Sequence, residues 1–221
     1  TIEEYGVTFA MGAPSSMEML CRAQEKNPVD LSRLKGLVTM GAPFEKAACE
    51  RYMKVLTPNI YNGYGTTETL WNSFLRPYDL PEHAGTAGRS CIDDEVRVVK
   101  AYDDHKAEPD EMVAHDSKET GEIIIFCPEK TTYSYYNNPT EQEKKFYKGW
   151  MYTGDLGTWD EDWFVTICGR KDDMIICSGE NIYPTQIEEV LNGHPGVADS
   201  LVTAVPHKVR VQVVVAYIVP R

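Results

Sequence analysis

The stretch "IYNGYGTTETLW", residues 60–71, predicts a strand that gives way to a polar, glycine-containing loop. Asn62 and Gly63 are typical strand breakers, so the strand is expected to end there. Residues 64–68 then offer a tyrosine ring, a glycine, two threonine hydroxyls and a carboxylate. A ring can stack on a purine, glycine admits a close ligand, hydroxyls donate to phosphates, and a carboxylate can hold Mg²⁺ beside them. The pattern favours a nucleotide-binding loop, with an ordinary polar loop as the alternative.

Upstream of this loop, short apolar strands alternate with helical stretches. "LKGLVTMG" (34–41) reads as a strand that ends at Gly41, Ala42 and Pro43, and "EKAACERYMKVL" (45–56) has helical periodicity. Alternation of this kind predicts a parallel α/β sheet. Ligands of such sheets bind in the loops after the strands. The Gly-Ala-Pro turn and residues 64–68 are therefore expected at one edge.

Downstream of the loop the pattern changes twice. Residues 84–168 contain short strands such as "EVRVV" and "GEIIIF" separated by turns, which predicts a β-rich, barrel-like subdomain. Residues 169–221 contain a helical stretch, "PTQIEEVLNG", and then two strands. The expected fold class is α/β: the end of a parallel α/β subdomain (1–83), a β-rich subdomain (84–168), and the start of a small α+β domain (169–221).

Composition excludes several classes of protein. The formal net charge of −12 argues against a nucleic-acid partner. The longest apolar run, near Val213–Val219, is too short for a transmembrane segment. The stretch at the start, "TIEEYGVTFAMG", begins without a Met and has no basic n-region, so we expect it not to be a signal peptide. The six cysteines are irregularly spaced without a Cys-x-x-Cys pair, which predicts reduced thiols in a cytoplasmic protein.

Two further charged residues suit a nucleotide. Asp155 lies between glycines in "GWMYTGDLG" (149–157), where its carboxylate can accept hydrogen bonds from ribose hydroxyls. Arg170 in "GRKDD" (169–173) is a rigid donor for ribose or phosphate. The plainer alternatives are an aspartate in a β-turn and a solvated surface arginine.

In this order, "YGTTE", "YTGDLG" and "GRKDDMIICSGENIYPTQIEEVL" resemble motifs of the adenylate-forming enzymes. That superfamily includes acyl-CoA synthetases, adenylation domains of peptide synthetases and beetle luciferases. The resemblance covers nearly the whole chain: "VTMGAP" looks like the adenine-binding turn, and "HPGVADSLVTAVP" like the first part of the small C-terminal domain. It implies that 1–83 is the C-terminal part of the large nucleotide-binding domain and that 169–221 is part of a mobile domain.

The resemblance also implies a reaction in two halves. A carboxylic acid attacks the α-phosphate of ATP to give an acyl-adenylate and pyrophosphate, and a thiol, that of coenzyme A, then displaces AMP. ATP/AMP, Mg²⁺ and coenzyme A are the implied cofactors. A small-molecule carboxylic acid is the implied substrate.

Matched motif by motif, the resemblance gives roles to residues of this chain. Gly41, Ala42, Pro43 and Tyr64 would sandwich adenine, Asn62 would lie near its amino group, and Gly65 and Thr66 would complete the loop. Thr67 would contact the α-phosphate, Glu68 would hold Mg²⁺, and Asp155 and Arg170 would hold the ribose. Asp172 matches the hinge of the mobile domain. A loop that meets the pantetheine arm of coenzyme A is matched by Ser178, Gly179, Glu180 and Asn181. Residues 69–73 would line the acid pocket.

The chain departs from the superfamily pattern in three ways. Neither the Gly/Ser/Thr-rich phosphate loop nor the late C-terminal lysine is present in the sequence. The chain therefore looks like the C-terminal half of a larger enzyme without its last part, and by itself we expect it to be inactive. In "VPHKVRVQ", His207 replaces an aspartate and Val211 a glycine; because valine tolerates positive φ poorly, we expect this turn to be rebuilt.

The predicted function is that of an ATP-dependent acid–thiol ligase, most like an acyl-CoA synthetase of fatty or aryl acids. "SGENIYP" favours a CoA ligase modestly over an adenylation domain that loads a carrier protein. The alternative from another class is a non-catalytic nucleotide-binding or interaction module. The identity of the acid and the oligomeric state are not readable from the sequence.

Overall fold

The computed structural model describes residues 2–41, 44, 46–130, 134–178 and 180–221 of the chain. Its helices are α1 (Ile2–Tyr5), α2 (Pro14–Lys26), α3 (Lys46–Val55), α4 (Pro139–Lys145) and α5 (Pro184–Asn192), with one 3-10 turn at Pro77–Asp79. Its strands are β1 (Phe9–Gly12), β2 (Gly36–Met40), β3 (Ile60–Thr66), β4 (Leu70–Leu75), β5 (Arg89–Ser90), β6 (Glu95–Val99), β7 (Gly121–Phe126), β8 (Phe146–Tyr147), β9 (Trp150–Trp159), β10 (Val165–Arg170), β11 (Ile175–Cys177), β12 (Glu180–Ile182), β13 (Val197–His207) and β14 (Val211–Pro220). No helix among the described residues is long and apolar enough to cross a membrane.

The first sheet has the order β1-β2-β3-β4-β5. β1, β2 and β3 are parallel, with α2 and α3 as the connections, whereas β4 pairs antiparallel with both β3 and β5. Leu37, Ile60 and Leu75 are almost fully buried in the core beneath it. The predicted parallel α/β part is confirmed. β5 lies beyond residue 83 and still pairs with β4 of the first sheet. The boundary at residue 83 between the α/β subdomain and the β-rich subdomain therefore stays a proposal.

The prediction that Asn62 and Gly63 end a strand is wrong. β3 continues through both residues to Thr66, because they pair with the antiparallel strand β4. Gly63 is needed here for packing rather than for a turn: a Cβ at this position would lie 2.2 Å from a ring carbon of Trp71.

The turn proper lies between Thr66 and Leu70, and Gly65 shapes it. The pairing of β3 with β4 shifts register between Tyr64 and Gly65. A Cβ on Gly65 would fall 1.5 Å from the backbone carbonyl oxygen of Leu70, which no side chain can tolerate. Glycine at this position therefore fixes how sharply the polar loop folds back.

The second sheet is antiparallel in the order β10-β9-β7-β6, and the short strand β8 pairs with β9. Its inner face buries the aliphatic residues Val98, Ile123 and Ile125 together with Trp159. Tyr64, from the first sheet, packs against this cluster. The two sheets therefore meet at the residues with which the sequence analysis began.

The third sheet, in the order β12-β11-β14-β13, carries α5 against β13. Residues 171–174 connect it to β10, and the hydroxyl of Thr185 in α5 donates to the carbonyl oxygen of Cys168 at 2.5 Å. The expectation of a rebuilt turn before β14 is wrong. Val211 keeps a left-handed backbone with φ of 66°, because it pairs with both His207 and Cys177.

A charged network joins α2 to α3 on the surface. The guanidinium of Arg51 lies 2.8 Å from the carboxylate of Glu18 and 2.7 Å from that of Glu25. Glu18 also accepts from Arg22 at 2.5 Å and from the hydroxyl of Tyr52 at 2.8 Å. Burial of Glu18 opposes its charge, but these donors outweigh it and lower its pKa to about 2.

Candidate nucleotide site

A cavity of about 550 Å³ opens where the carboxyl ends of β2 and β3 face the second sheet. Its walls include seven residues that the sequence predicted for nucleotide binding: Gly41, Asn62, Tyr64, Gly65, Thr66, Thr67 and Asp155. Arg170 and Glu68 are not wall residues. Arg170 donates a hydrogen bond to the wall residue Asp155, and Glu68 follows the wall residue Thr67 in the sequence. Ala42 and Pro43 lie outside the described residues.

Asp155 joins the two sheets at this cavity. One carboxylate oxygen accepts from the hydroxyl of Tyr64 at 2.6 Å, and the other accepts from the guanidinium of Arg170, also at 2.6 Å. Arg170 donates in addition to the carbonyl oxygen of Thr153 at 3.1 Å. The Asp155 side chain is 13% exposed, and each of its two oxygens has a donor. The carboxylate at the cavity wall therefore has little freedom to move.

Tyr64 is a hydrogen-bond donor at this site. Burial raises the pKa of Tyr64 well above its ordinary value, and the negative charge of Asp155 raises it further. The phenol therefore stays protonated, and its O–H donates a hydrogen bond to the Asp155 carboxylate. With its hydroxyl tied to Asp155, the ring is held in a fixed orientation beside the cavity.

Asn62 brings an unsatisfied acceptor to the cavity wall. Its side chain is buried, and its Oδ1 has no hydrogen-bond partner within the described part of the chain. The neighbouring Thr39 of β2 has a buried Oγ1 in the same condition. A buried carbonyl oxygen without a donor costs free energy, on the order of 1–3 kcal/mol. Because Oδ1 of Asn62 has almost no accessible surface, an N–H group of a ligand could reach it only after the Asn62 side chain turns toward the cavity.

Glu68 lies in the turn after β3, and Thr67 beside it is exposed. Burial acts to raise the pKa of Glu68, but the hydrogen bond from the hydroxyl of Tyr135 and the charge of Lys145 hold it below its ordinary value. Glu68 is therefore an anion at neutral pH.

A magnesium ion fits this donor set. The described residues contain no cluster of three or more His, Cys, Asp or Glu side chains that could hold a metal by themselves. Mg²⁺ commonly binds through one or two carboxylates while phosphates and waters supply the other ligands. The single carboxylate of Glu68 next to Thr67 suits that mode rather than an all-protein metal site.

The sequence profile of the AMP-binding enzyme family matches residues 1–136, and that of the AMP-binding enzyme C-terminal domain matches residues 186–221. The chain belongs to the AMP-binding enzyme family. It is 30% identical over 205 residues to a long-chain-fatty-acid–CoA ligase of Escherichia coli O157:H7, covering 93% of this chain and 35% of that protein. It is 31% identical over 220 residues to an indoleacetate–CoA ligase of Aromatoleum aromaticum (strain DSM 19018 / LMG 30748 / EbN1), covering 99% of this chain and 41% of that protein.

Solved structures of this AMP-binding family share the fold. The O-succinylbenzoate coenzyme A synthetase of Bacillus subtilis in complex with AMP superposes with a TM-score of 0.83 at 29% identity, over 100% of this chain and 42% of that one. The amide bond synthetase of Marinactinospora thermotolerans superposes with a TM-score of 0.84 at 27% identity, over 99% of this chain and 43% of that one. The chain thus spans roughly two fifths of the proteins it matches. The predicted family and fold class are confirmed.

The remaining predicted residues of this AMP-binding protein lie toward the third sheet. Asp172 is exposed in the turn that links β10 to β11. Ser178 has a positive φ of 54°, and its backbone N–H donates to the carbonyl oxygen of Arg210 at 3.1 Å. Glu180 and Asn181 begin β12. Gly179 lies outside the described residues. Asp172 therefore stands at the junction of two sheets, Ser178 directly follows β11, and Glu180 and Asn181 belong to β12.

The structure also places residues at the cavity that the sequence analysis did not assign. Within 69–73 only Leu70 and Trp71 line the cavity, because Thr69, Asn72 and Ser73 are buried beneath it. Residues 85–87 form another part of the wall, and the glycine spacing of "HAGTAGRS" is a signal that could have indicated a ligand-facing turn. Tyr135 has no such signal, because its partner Glu68 is far away in sequence.

Proposed function

We propose that the protein carrying this chain is an ATP-dependent acid–thiol ligase that adenylates a fatty or aryl acid and transfers the acyl group to coenzyme A. The observation that carries the proposal is the cavity that brings Asn62, Tyr64, Thr67 and Asp155 together from two sheets. Relatives named as fatty-acid and indoleacetate CoA ligases support the acid class.

In this proposal the base lies between Tyr64 and the turn at 41–43. The ring of Tyr64 offers a stacking face, and Oδ1 of Asn62, which has no partner among the described residues, could accept the adenine amino group once its side chain turns toward the cavity. The carboxylate of Asp155 accepts from the ribose hydroxyls, and Arg170 keeps that carboxylate in place. Hydrogen bonds fix Tyr64, Asp155 and Arg170 before the nucleotide arrives, so these three side chains need little further ordering on binding.

The phosphates would then lie along the polar turn. The exposed hydroxyl of Thr67 and the N–H groups of the turn can donate to the α-phosphate, where negative charge builds up as the acid attacks. Glu68 would hold Mg²⁺, which neutralises phosphate charge when bound. A structure of a relative in complex with ATP and a magnesium ion supports this expectation.

The bond changes follow from the reactants. A carboxylate oxygen of the acid forms a bond to the α-phosphorus, and the bond to the β-phosphate oxygen breaks to release pyrophosphate. The thiol then loses its proton and its sulfur attacks the acyl carbon, which releases AMP. We propose that Asp172 is the hinge between these steps and that residues 178–181 contact coenzyme A in the second.

Two acceptors other than coenzyme A have specific support. A fatty acid–[acyl-carrier-protein] ligase of Streptomyces coeruleorubidus is 30% identical over 210 residues, covering 93% of this chain and 38% of that protein. An amide bond synthetase shares the fold. The assay should therefore offer coenzyme A, a carrier protein and an amine separately after adenylation.

We also propose a cytoplasmic location, on the sequence argument that the cysteines follow no disulfide framework. Titration of thiols in the unfolded, unreduced protein should find all six. Two or more cysteines missing from that count as disulfides would contradict the location.

The central test is acid-dependent release of pyrophosphate by the intact protein across a panel of fatty and aryl acids. Glu68→Gln should lower the adenylation rate on the order of 10²-fold, roughly 2.7 kcal/mol, with partial recovery in excess Mg²⁺. Tyr64→Ala should mainly raise the KM for ATP, by about tenfold. The exposed Glu50 provides a charge-matched control, and Glu50→Gln should leave both constants unchanged. Absence of acid-dependent pyrophosphate release would overturn the proposal in favour of a binding module.

A further inference from the structure

Tyr135 contacts Glu68 across 67 positions of sequence. Its hydroxyl donates to Oε1 of Glu68, so one oxygen of the carboxylate has a protein partner. Glu68 belongs to the turn between β3 and β4, whereas Tyr135 lies between β7 and α4 on the side of the second sheet. The hydrogen bond thus joins the turn between β3 and β4 to the segment that precedes α4.

Tyr135 is itself held in place by α4. Its backbone N–H donates to Oε1 of Gln142 at 3.0 Å, and its ring meets that of Phe146 edge-on with 6.4 Å between centroids. Asn138 caps the helix by accepting from the N–H of Glu141 at 3.2 Å. The backbone and the ring of Tyr135 are therefore held by contacts with Gln142 and Phe146 that do not involve Glu68.

The turn that carries Glu68 is anchored separately. The hydroxyls of Thr66 and Thr69 lie 2.9 Å apart, and Thr69 donates to Oδ1 of Asn72 at 2.5 Å. Asn72 donates to Asp94 at 3.0 Å, and Asp94 is paired with Lys130. Hydrogen bonds from the Thr66 hydroxyl and from the backbone N–H of Glu68 itself also act on the Glu68 carboxylate, but each has a smaller effect than that of Tyr135. Because the buried network fixes the backbone of the turn, loss of the Tyr135 hydroxyl would loosen the Glu68 side chain and leave the turn in place.

We propose that Tyr135 is a positioning residue for the metal-binding carboxylate, an inference that rests on the proposed function. A glutamate side chain has three rotatable bonds, and binding a cation requires all of them to be fixed. The hydrogen bond from Tyr135 restricts them beforehand and engages Oε1 only, so Tyr135 does not occupy Oε2. Partners that orient metal ligands in this way commonly change metal affinity by about 10–100-fold when removed.

The test measures how strongly Mg²⁺ tightens nucleotide binding to the intact protein. Isothermal titration calorimetry with α,β-methylene ATP, once with Mg²⁺ and once with EDTA, gives two dissociation constants. The constant in EDTA divided by the constant in Mg²⁺ is the magnesium effect. Tyr135→Phe should reduce that ratio about tenfold and leave the constant in EDTA unchanged. Tyr136 is 93% exposed, so Tyr136→Phe is the matched control and should behave as wild type. Gln142→Ala, which frees the backbone of Tyr135, should reduce the ratio in the same direction by less.

The outcomes separate this inference from the proposed function. A magnesium effect that is present in the wild type, absent in Glu68→Gln and unchanged in Tyr135→Phe would overturn the positioning role alone. A larger ratio in Tyr135→Phe would also overturn it, because the hydroxyl would then compete with the metal. No magnesium effect in the wild type would overturn both proposals. If Tyr135→Phe does not fold, Gln142→Ala decides, and a wild-type ratio in that variant would refute the role.

Discussion

Removal of one oxygen atom, in Tyr64→Phe, tests the contact between the first and second sheets. The substitution keeps the ring and deletes the hydroxyl that donates to Asp155 at 2.6 Å. A hydrogen bond to a charged partner contributes about 1.5–3 kcal/mol. Because Asp155 retains Arg170, we expect a loss near the lower half of that range, about 2 kcal/mol. For a chain of this length that corresponds to a melting temperature lower by about 4–8 °C.

The assay is thermal unfolding followed by circular dichroism, in a double-mutant cycle with Asp155→Asn. If the contact acts as described, Tyr64→Phe should cost clearly less stability when position 155 is already asparagine. Tyr78→Phe is the control, since Tyr78 is 73% exposed, and it should melt with the wild type. A Tyr64→Phe variant that melts within about 1 °C of wild type, or costs the same in both backgrounds, would refute the reasoning.

Four further predictions concern other parts of the chain. Because hydrogen bonds from its partners outweigh burial and hold the pKa of Glu18 near 2, below its ordinary 4.5, its contribution is full above pH 4.5 and is lost as the pH falls through 2. By urea titration, Glu18→Gln should cost roughly 1 kcal/mol at pH 7, since its arginine partners are exposed, and clearly less near pH 2, where half of the folded molecules carry a protonated Glu18. Val211→Gly should raise stability by up to about 1 kcal/mol by relieving a left-handed valine, and unchanged stability would show that the turn carries no strain. Gly65→Ala should leave little folded protein on size-exclusion chromatography, and normal yield with normal ATP binding would contradict the close carbonyl contact. Burial raises the pKa of the Cys49 thiol to about 11, so iodoacetamide should modify the half-buried Cys177 at least roughly tenfold faster in the folded protein, and equal rates by peptide mass spectrometry would count against the buried position.

The parallel part of the fold was predictable because local patterns determine it. Apolar strands and amphipathic helices alternate along the first part of the chain, and that alternation leaves few topologies. The end of β3 was not predictable in the same way. Asn62 and Gly63 look like strand breakers in isolation, but a partner strand and the Trp71 ring keep them extended. Tertiary pairing overrode a local preference.

For the candidate site, the sequence indicated individual residues but not the bonds between them. Asp155 and Tyr64 each stood out in a glycine-containing motif, yet their hydrogen bond spans 91 positions. The contact of Tyr135 with Glu68 is equally non-local, and no periodicity points to it. Val211 shows the reverse case, in which a residue poorly suited to its backbone is held there by pairing on both sides.

The contact between Tyr64 and Asp155 has a consequence for how the protein assembles. The cavity wall is divided between two sheets, so neither sheet alone presents a complete site to a nucleotide. An intermediate with both sheets formed but not yet docked would show native secondary structure and no nucleotide affinity. Because a ligand stabilises only the state that binds it, nucleotide would selectively stabilise the docked arrangement. The time at which nucleotide binding recovers during refolding therefore reports when the two sheets dock. Far-ultraviolet circular dichroism does not detect that event, because the secondary structure is already formed.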